Sequence, residues 1–285
     1  MSEYVIPRGT TADAMFTLVV TPESAGWGYS GLRVLELEPG GTATFATGED
    51  EMIVLPLAGA CTVGCDGSSF TLDGRRSVFS RVTDFAYVPR DAEVTVSSSA
   101  GGRFALPAAR ATRRLTARYG PAEGVGVELR GAGQASRQVN NFCTPQTFDA
   151  EKLIAVEVLT PAANWSSYPP HKHDEQRAGE AQLEEVYYFE GGPGYQRVYS
   201  SGPDHEIDVC AEVRTGDTIL IPHGWHGPSM AAPGYDLYYL NVMAGPSPER
   251  AWLICDDPAH AWVRDTWDDQ EIDPRLPLTT TEETS

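Results

Sequence analysis

The stretch from position 168 to 189, YPPHKHDEQRAGEAQLEEVYYF, sets His171 and His173 one residue apart and puts Glu184 and Glu185 at the head of an aromatic run. Side chains two apart on a strand face the same side, so the two imidazoles project together while Lys172 points away. A neutral imidazole pair on one face is a common start for a site that binds a borderline divalent metal. Glu185 opens the run EVYYF and shares a face with Tyr187 and Phe189, opposite Val186 and Tyr188. A carboxylate placed among inward aromatics needs a partner, because burying it alone costs several kcal/mol. A further imidazole, His226, stands in GDTILIPHGWHG, after a strand that a Gly-Asp turn introduces and a proline ends; His223 precedes it on the turn. Singly, each feature has an ordinary structural explanation: a chance His-x-His, a solvated strand edge, a loop histidine.

The elements that must position these groups are strands. Short alternating or β-branched runs recur between turn residues, among them GLRVLELEPGGTATF, SSFTLDGRRSVF and DFAYVPRDAEVTV early in the chain, then LIAVEVLTP, YQRVYS, DTILIPHGW and YDLYYLNVM. This spacing predicts a mostly antiparallel all-β barrel or sandwich architecture. An Ala-, Gly- and Arg-rich stretch, PAARATRRLTARYGPAEGVGVELRGAGQASR, interrupts the pattern, with a strand of its own expected around Val125 to Leu129. The reading divides the chain into an N-terminal barrel over 1–115, a connection over 116–136, a C-terminal barrel over 137–272 and a flexible polar tail over 273–285. An internal echo supports duplication: YVPRDAEV and LIPHGWHG both run strand, proline, turn, polar side chain, so Pro89 and Glu93 stand where Pro222 and His226 stand. All 6 histidines lie at or after position 171, so histidine chemistry belongs to the second half.

Composition bounds the rest. A chain of 285 residues with 41% hydrophobic content can bury a substantial core. No apolar run approaches the ~18 residues of a membrane span, and the start MSEYVIPRGT lacks the layout of a secretory signal, so a cytoplasmic protein is expected. The 5 cysteines are scattered without a Cys-x-x-Cys pair, which argues against a disulfide framework and a thiolate zinc site. A net charge of −19 excludes nucleic acid and acidic membrane as partners, both of which bind through Lys and Arg.

Taken together, His-x-His, a glutamate at a strand start and Gly-x5-Pro-x-Gly-x-His about forty residues on resemble the order in which cupin barrels deliver their metal ligands. The resemblance extends further. The runs VEVLTPAANWSSYPPHKHD, LEEVYYF, YQRVYS, GWHGPSMAAPGYDLYYLNVMAGP and DDPAHAWV, with GWGYSGLRVLELEPGG and the RGAG at 130–133, are similar to those of the 5-deoxyglucuronate isomerases of inositol catabolism. That resemblance implies two tandem cupin barrels of the double-stranded β-helix or jelly-roll type. It implies a divalent metal in the C-terminal one, zinc or alternatively manganese, held by His171, His173, Glu185 and His226. The implied reaction is conversion of 5-deoxy-D-glucuronate to 5-dehydro-2-deoxy-D-gluconate. The N-terminal barrel, with Glu93 at the histidine position, is expected to support folding or assembly, and a homo-oligomer is compatible with it.

For such an isomerisation, Tyr187 and Tyr239 are expected to line the pocket as catalytic groups. Arg197 is expected to pair with the uronate carboxylate, bidentate pairing being the strength of a guanidinium. Lys172 is the lower-ranked alternative, while Asp236 and Asn241 either orient hydroxyls or close turns. The general base is not identified. Two other readings stay open: an Fe(II)-dependent cupin dioxygenase, since the same ligand types bind Fe(II), and a non-enzymatic sugar-binding cupin.

Overall fold

The computed structural model describes residues 2–282 and holds two strand-built barrels packed against each other. The seven-stranded sheet of the second barrel runs, in spatial order, Val5–Ile6, Thr218–Ile221, Glu184–Gly191, Leu237–Ala244, Ile154–Thr160, Arg137–Cys143 and Gly126–Arg130. Its opposing sheet runs Asp208–Val213, Gly194–Tyr199, Trp225–Ala231, His171–Lys172 and Cys255–Asp256, with Trp165–Ser166 alongside Trp225–Ala231. In the first barrel the long strand Asp50–Cys65 pairs with four neighbours in turn and ties both of its faces together. This is the tandem jelly-roll architecture that the sequence predicts.

Strand alternation sorts the side chains into three cores. Met52, Val54, Val63, Val94 and Phe104 fill the first barrel. Val156, Tyr187, Phe189, Ile219 and Tyr239 fill the second. A third cluster, including Leu32, Ile53, Tyr87, Val186, Tyr188 and Tyr238, lies in the seam between them. Glu184–Gly191 shows how this arises. Its odd residues enter the second barrel and its even ones enter the seam, so the strand is buried on both faces and its sequence is nearly all apolar or aromatic.

The seam also contains charge. Arg75 and Glu157 form a two-pronged pair with contacts of 3.0 and 2.8 Å, both side chains fully buried, and Asn140 donates to the same carboxylate. Glu184, expected as a solvated carboxylate, instead accepts from the backbone N–H groups of Gly28, Tyr29 and Ser30 at 2.7, 2.7 and 2.9 Å. Burial pushes its pKa up against those three donors. It therefore fastens an N-terminal turn to the second barrel.

The observed elements depart from the expected boundaries at three places. Val5–Ile6, at the start of the chain, pairs with Thr218–Ile221 in the second barrel. The connection is shared between the barrels: Arg118–Gly120 pairs with Phe85–Val88 of the first and Gly126–Arg130 with Arg137–Cys143 of the second. The polar tail is docked as far as it is described, because Gln138 donates to Thr279 and Val82 donates to the Thr280 carbonyl. Buried polar groups between the barrels thus find partners in a segment whose composition suggested fraying. All five cysteines are free, and among the described residues no helix is long and apolar enough to cross a membrane.

Candidate active site

The second barrel's two sheets bring the singled-out groups together. Glu185 enters the interior from Glu184–Gly191, opposite Ile221 and Met243. His226 comes from Trp225–Ala231, and its backbone pairs with His171. The close approach of the loop before His171 requires a glycine: Gly227 has φ +107°, and a Cβ there would lie 1.8 Å from the Ser167 carbonyl oxygen. That contact seats Ser166 and Ser167 against the histidine strand.

One ligand atom from each of His173, Glu185 and His226 lies within 4.8 Å of the others, and all three side chains are buried. Both Nε2 atoms sit 3.1 Å from the same Glu185 Oε2. Only His173 makes a hydrogen bond of that contact; the buried His226 Nε2 has no hydrogen-bond partner. His173 Nδ1 lies 3.1 Å from the Leu183 carbonyl, which fixes the ring so that Nε2 faces the carboxylate. An orphaned imidazole nitrogen aimed at a carboxylate shared with a second imidazole fits a divalent cation of the zinc or manganese type. His171 stands beside this trio and outside it, its ring centroid 4.3 Å from that of His226 and 6.3 Å from that of His173. Burial, then the neighbouring His226, His173 and Arg137, hold its pKa well below the ordinary value, so the ring is neutral.

The electrostatics of the trio follow from burial and pairing. Burial pushes Glu185 up, but the close contacts with His173 and His226 outweigh it and the carboxyl ends below its usual range. Burial likewise pushes His173 down, and the Glu185 contact more than reverses this. Tyr187 and Tyr239 stack at 4.8 Å, and each hydroxyl lies 3.1 Å from Ser167 Oγ; Tyr239 also donates to Ser166 Oγ at 2.9 Å. Burial raises both phenols, Tyr187 well above its ordinary value, so both keep their protons at neutral pH. Asn241 faces Tyr187 across the sheet with its Oδ1 buried and unpartnered.

The charged residues expected to read a substrate carboxylate lie elsewhere. Gln196 and Val198 are the inward residues of Gly194–Tyr199, so Arg197 faces outward, where it pairs with Asp208 and donates to the Val198 and Val209 carbonyls at 2.9 and 2.8 Å. Lys172 is buried away from the trio, its ammonium occupied by Asp174 and, at 2.7 Å, by Glu180. Asp236 accepts from the Ala162 N–H at 2.8 Å and so ties two separate loops together. Sequence reasoning missed Ser166, Ser167 and Arg137; the serines carry no spacing signal, and Arg137 lies at the edge of the stretch assigned to the connection.

The chain matches the KduI/IolB family over residues 4–263. It belongs to the KduI/IolB family. Relatives along its length include the 5-deoxy-glucuronate isomerase of Geobacillus kaustophilus, 40% identical over 93% of this chain and 97% of the relative. That of Bacillus subtilis strain 168 is 37% identical over 86% of this chain and 91% of its own length. An IolB-like protein from Salmonella typhimurium, solved by crystallography, superposes with a TM-score of 0.84 at 34% identity, covering 91% of this chain and 98% of that one. The oxalate decarboxylase of Lactobacillus farciminis superposes at 0.63 with 12% identity, covering 90% of this chain and 89% of that one, a likeness of fold alone.

Proposed function

We propose that this protein is a metal-dependent aldose–ketose isomerase acting on 5-deoxy-D-glucuronate, with 5-dehydro-2-deoxy-D-gluconate as the product. The observation that carries the reading is the 40% identity to a 5-deoxy-glucuronate isomerase across 93% of the chain, a span that includes every residue of the trio. The polar, buried end of the second barrel has the groups such a reaction needs.

In the reaction a proton leaves the carbon beside the aldehyde and another arrives at the aldehyde carbon, so negative charge develops on two adjacent oxygens. A divalent cation, zinc or manganese, supplies Lewis-acid stabilisation of that charge. His173, Glu185 and His226 would hold it, with His171 completing the set as a fourth, neutral donor. Tyr187, kept protonated by burial, donates a hydrogen bond toward a substrate oxygen, while Tyr239 gives its proton to Ser166 and stacks on the Tyr187 ring. Ser167 contacts both hydroxyls and so fixes Tyr187 before substrate enters. Asn241 presents its amide to the same space. The seam-facing residues, Glu184 among them, hold the sheet and take no part in the chemistry.

An anaerobic NMR time course of 5-deoxy-D-glucuronate with the purified protein, run with and without chelator, tests this. Loss of the aldehyde signal with growth of the ketose, stopped by chelator and restored by zinc or manganese, is the expected result. Conversion that continues unchanged in the chelated protein removes the metal from the mechanism. No conversion in the metal-loaded protein removes the substrate.

A further inference from the structure

Among the described residues, three Lys or Arg side chains are buried: Arg75, Lys172 and Arg137. Arg75 is neutralised by Glu157 and Lys172 by Asp174 and Glu180. Arg137 has no such partner. Its Nη1 donates to the Ala135 carbonyl at 3.0 Å and the Tyr168 carbonyl at 3.4 Å, and no carboxylate forms an ion pair with it among the described residues. The side chain is only 5% exposed, so its charge is held out of water with two carbonyl contacts on one of three nitrogens. A buried cation left this way is destabilising unless an anion arrives.

The chain builds a seat for this guanidinium. Gly131, in the RGAG turn, has φ +81°, and a Cβ there would lie 2.2 Å from the Ala135 oxygen and 2.7 Å from Arg137 Nη1. Any side chain at that position would displace the guanidinium, which accounts for a glycine there. Trp267 lies under the guanidinium, 5.5 Å from its ring centroid, at the wall of a cleft of about 290 Å³ that Tyr168, Trp165 and Ala135 also line. Toward the barrel interior, the Arg137 charge acts on both Tyr239 and His171. The guanidinium thus stands over Trp267 on one side and acts on Tyr239 and His171 on the other.

We infer that Arg137 is the residue that binds the carboxylate of the sugar acid, fixing the far end of the substrate while its carbonyl end lies at the trio. The inference rests on the isomerase reading for the identity of the substrate. A guanidinium seated by backbone carbonyls on one nitrogen keeps its others for a carboxylate, the geometry in which arginine binds best. Burial pushes the Arg137 pKa down to about 10, which leaves the group charged at neutral pH.

The experiment compares 5-deoxy-D-glucuronate with its neutral carboxamide as substrates and as titrants in calorimetry, for the wild type and for Arg137→Gln and Arg137→Lys, each melted to confirm folding. Removing one partner of a buried charge pair predicts about a 100-fold loss in kcat/KM for the acid with Arg137→Gln, carried mainly by KM. The amide is expected to lose less than about 3-fold, and Arg137→Lys to restore part of the acid's rate as a single-point cation. Equal losses for acid and amide in a folded variant would overturn the assignment and make Arg137 a structural clamp. If Arg137→Gln does not fold, Arg137→Lys decides: a loss confined to the acid supports the assignment and an equal loss overturns it. Should the wild type convert neither compound, the isomerase reading fails by itself, and calorimetry then judges Arg137 alone. Tighter binding of acid than amide that vanishes with the substitution supports it, and an unchanged preference overturns it.

Discussion

The two barrels are built on one plan and filled differently. In the first, Met52 faces Val88, the residue before Pro89; in the second, Glu185 faces Ile221, the residue before Pro222. Glu93 pairs with Ala46 where His226 pairs with His171. The same positions therefore hold a thioether and a methyl group in one barrel and a carboxylate and an imidazole in the other. The first barrel's interior is apolar throughout the cluster around Met52, and Glu93 lies exposed at its rim. The difference teaches that the fold needs only the alternation and the turns. The buried imidazole–carboxylate trio is an addition to it, tolerated because its members are oriented by neighbours: Glu185 by two imidazoles and His173 by the Leu183 carbonyl.

Exchanging the contents of the two barrels breaks the comparison most sharply. Glu185→Met gives the second barrel the first one's residue. It should abolish metal retention, measured by elemental analysis, and lower isomerisation on the order of 1000-fold or more, with a melting temperature below that of the metal-free wild type because His173 and His226 lose their buried partner. Retained activity in that variant would mean that the trio is not the catalytic centre. The reverse change, Met52→Glu, buries a carboxylate with no imidazole to receive it and should destabilise the protein by roughly 3 kcal/mol in urea titration. A loss under about 1 kcal/mol would mean that the first barrel already admits water or a cation.

The adjacent carboxylates of the second barrel offer a finer test of inside against seam. Glu184→Gln weakens three backbone N–H contacts and should cost about 1–2 kcal/mol of stability while leaving kcat/KM for the acid within about twofold, because Glu184 faces away from the trio. A rate collapse there would show that the seam is coupled to the chemistry. The smallest effect belongs to Glu93→Ala, at the position that matches His226. It is exposed and should change stability by under about 0.5 kcal/mol with no change in metal content. Any loss of metal from that variant would give the first barrel a binding role.

Particular residues show what could be read beforehand. The parity of EVYYF settled which of Glu184 and Glu185 faces inward, since a strand has only two sides. The same logic was insufficient for YQRVY: Tyr195, Arg197 and Tyr199 form one face and Gln196 and Val198 the other, and either set suits a barrel interior by type. Contact with Ser229 and His226 decided it, placing Gln196 and Val198 inside. Nothing in the sequence marks Arg137, because it borders a stretch of Ala, Gly and Arg whose periodicity carries no strand signal. The docking of the tail is illegible for a related reason, as nothing in DPRLPLTTTEETS announces that Gln138 needs Thr279.

By itself the sequence determined the strand alternation, the two-barrel plan, the segregation of histidine to the second half and the residue types able to hold a metal, because these depend on spacing along one chain. Only the tertiary structure decided which charges were already satisfied. Arg75 meets Glu157 across 82 positions and Glu184 meets Gly28 across 156, whereas Arg137 meets no carboxylate at all among the described residues. Whether a buried charge is paired depends on segments distant in sequence, and the energy of that pairing separates a structural cation from one open to a ligand.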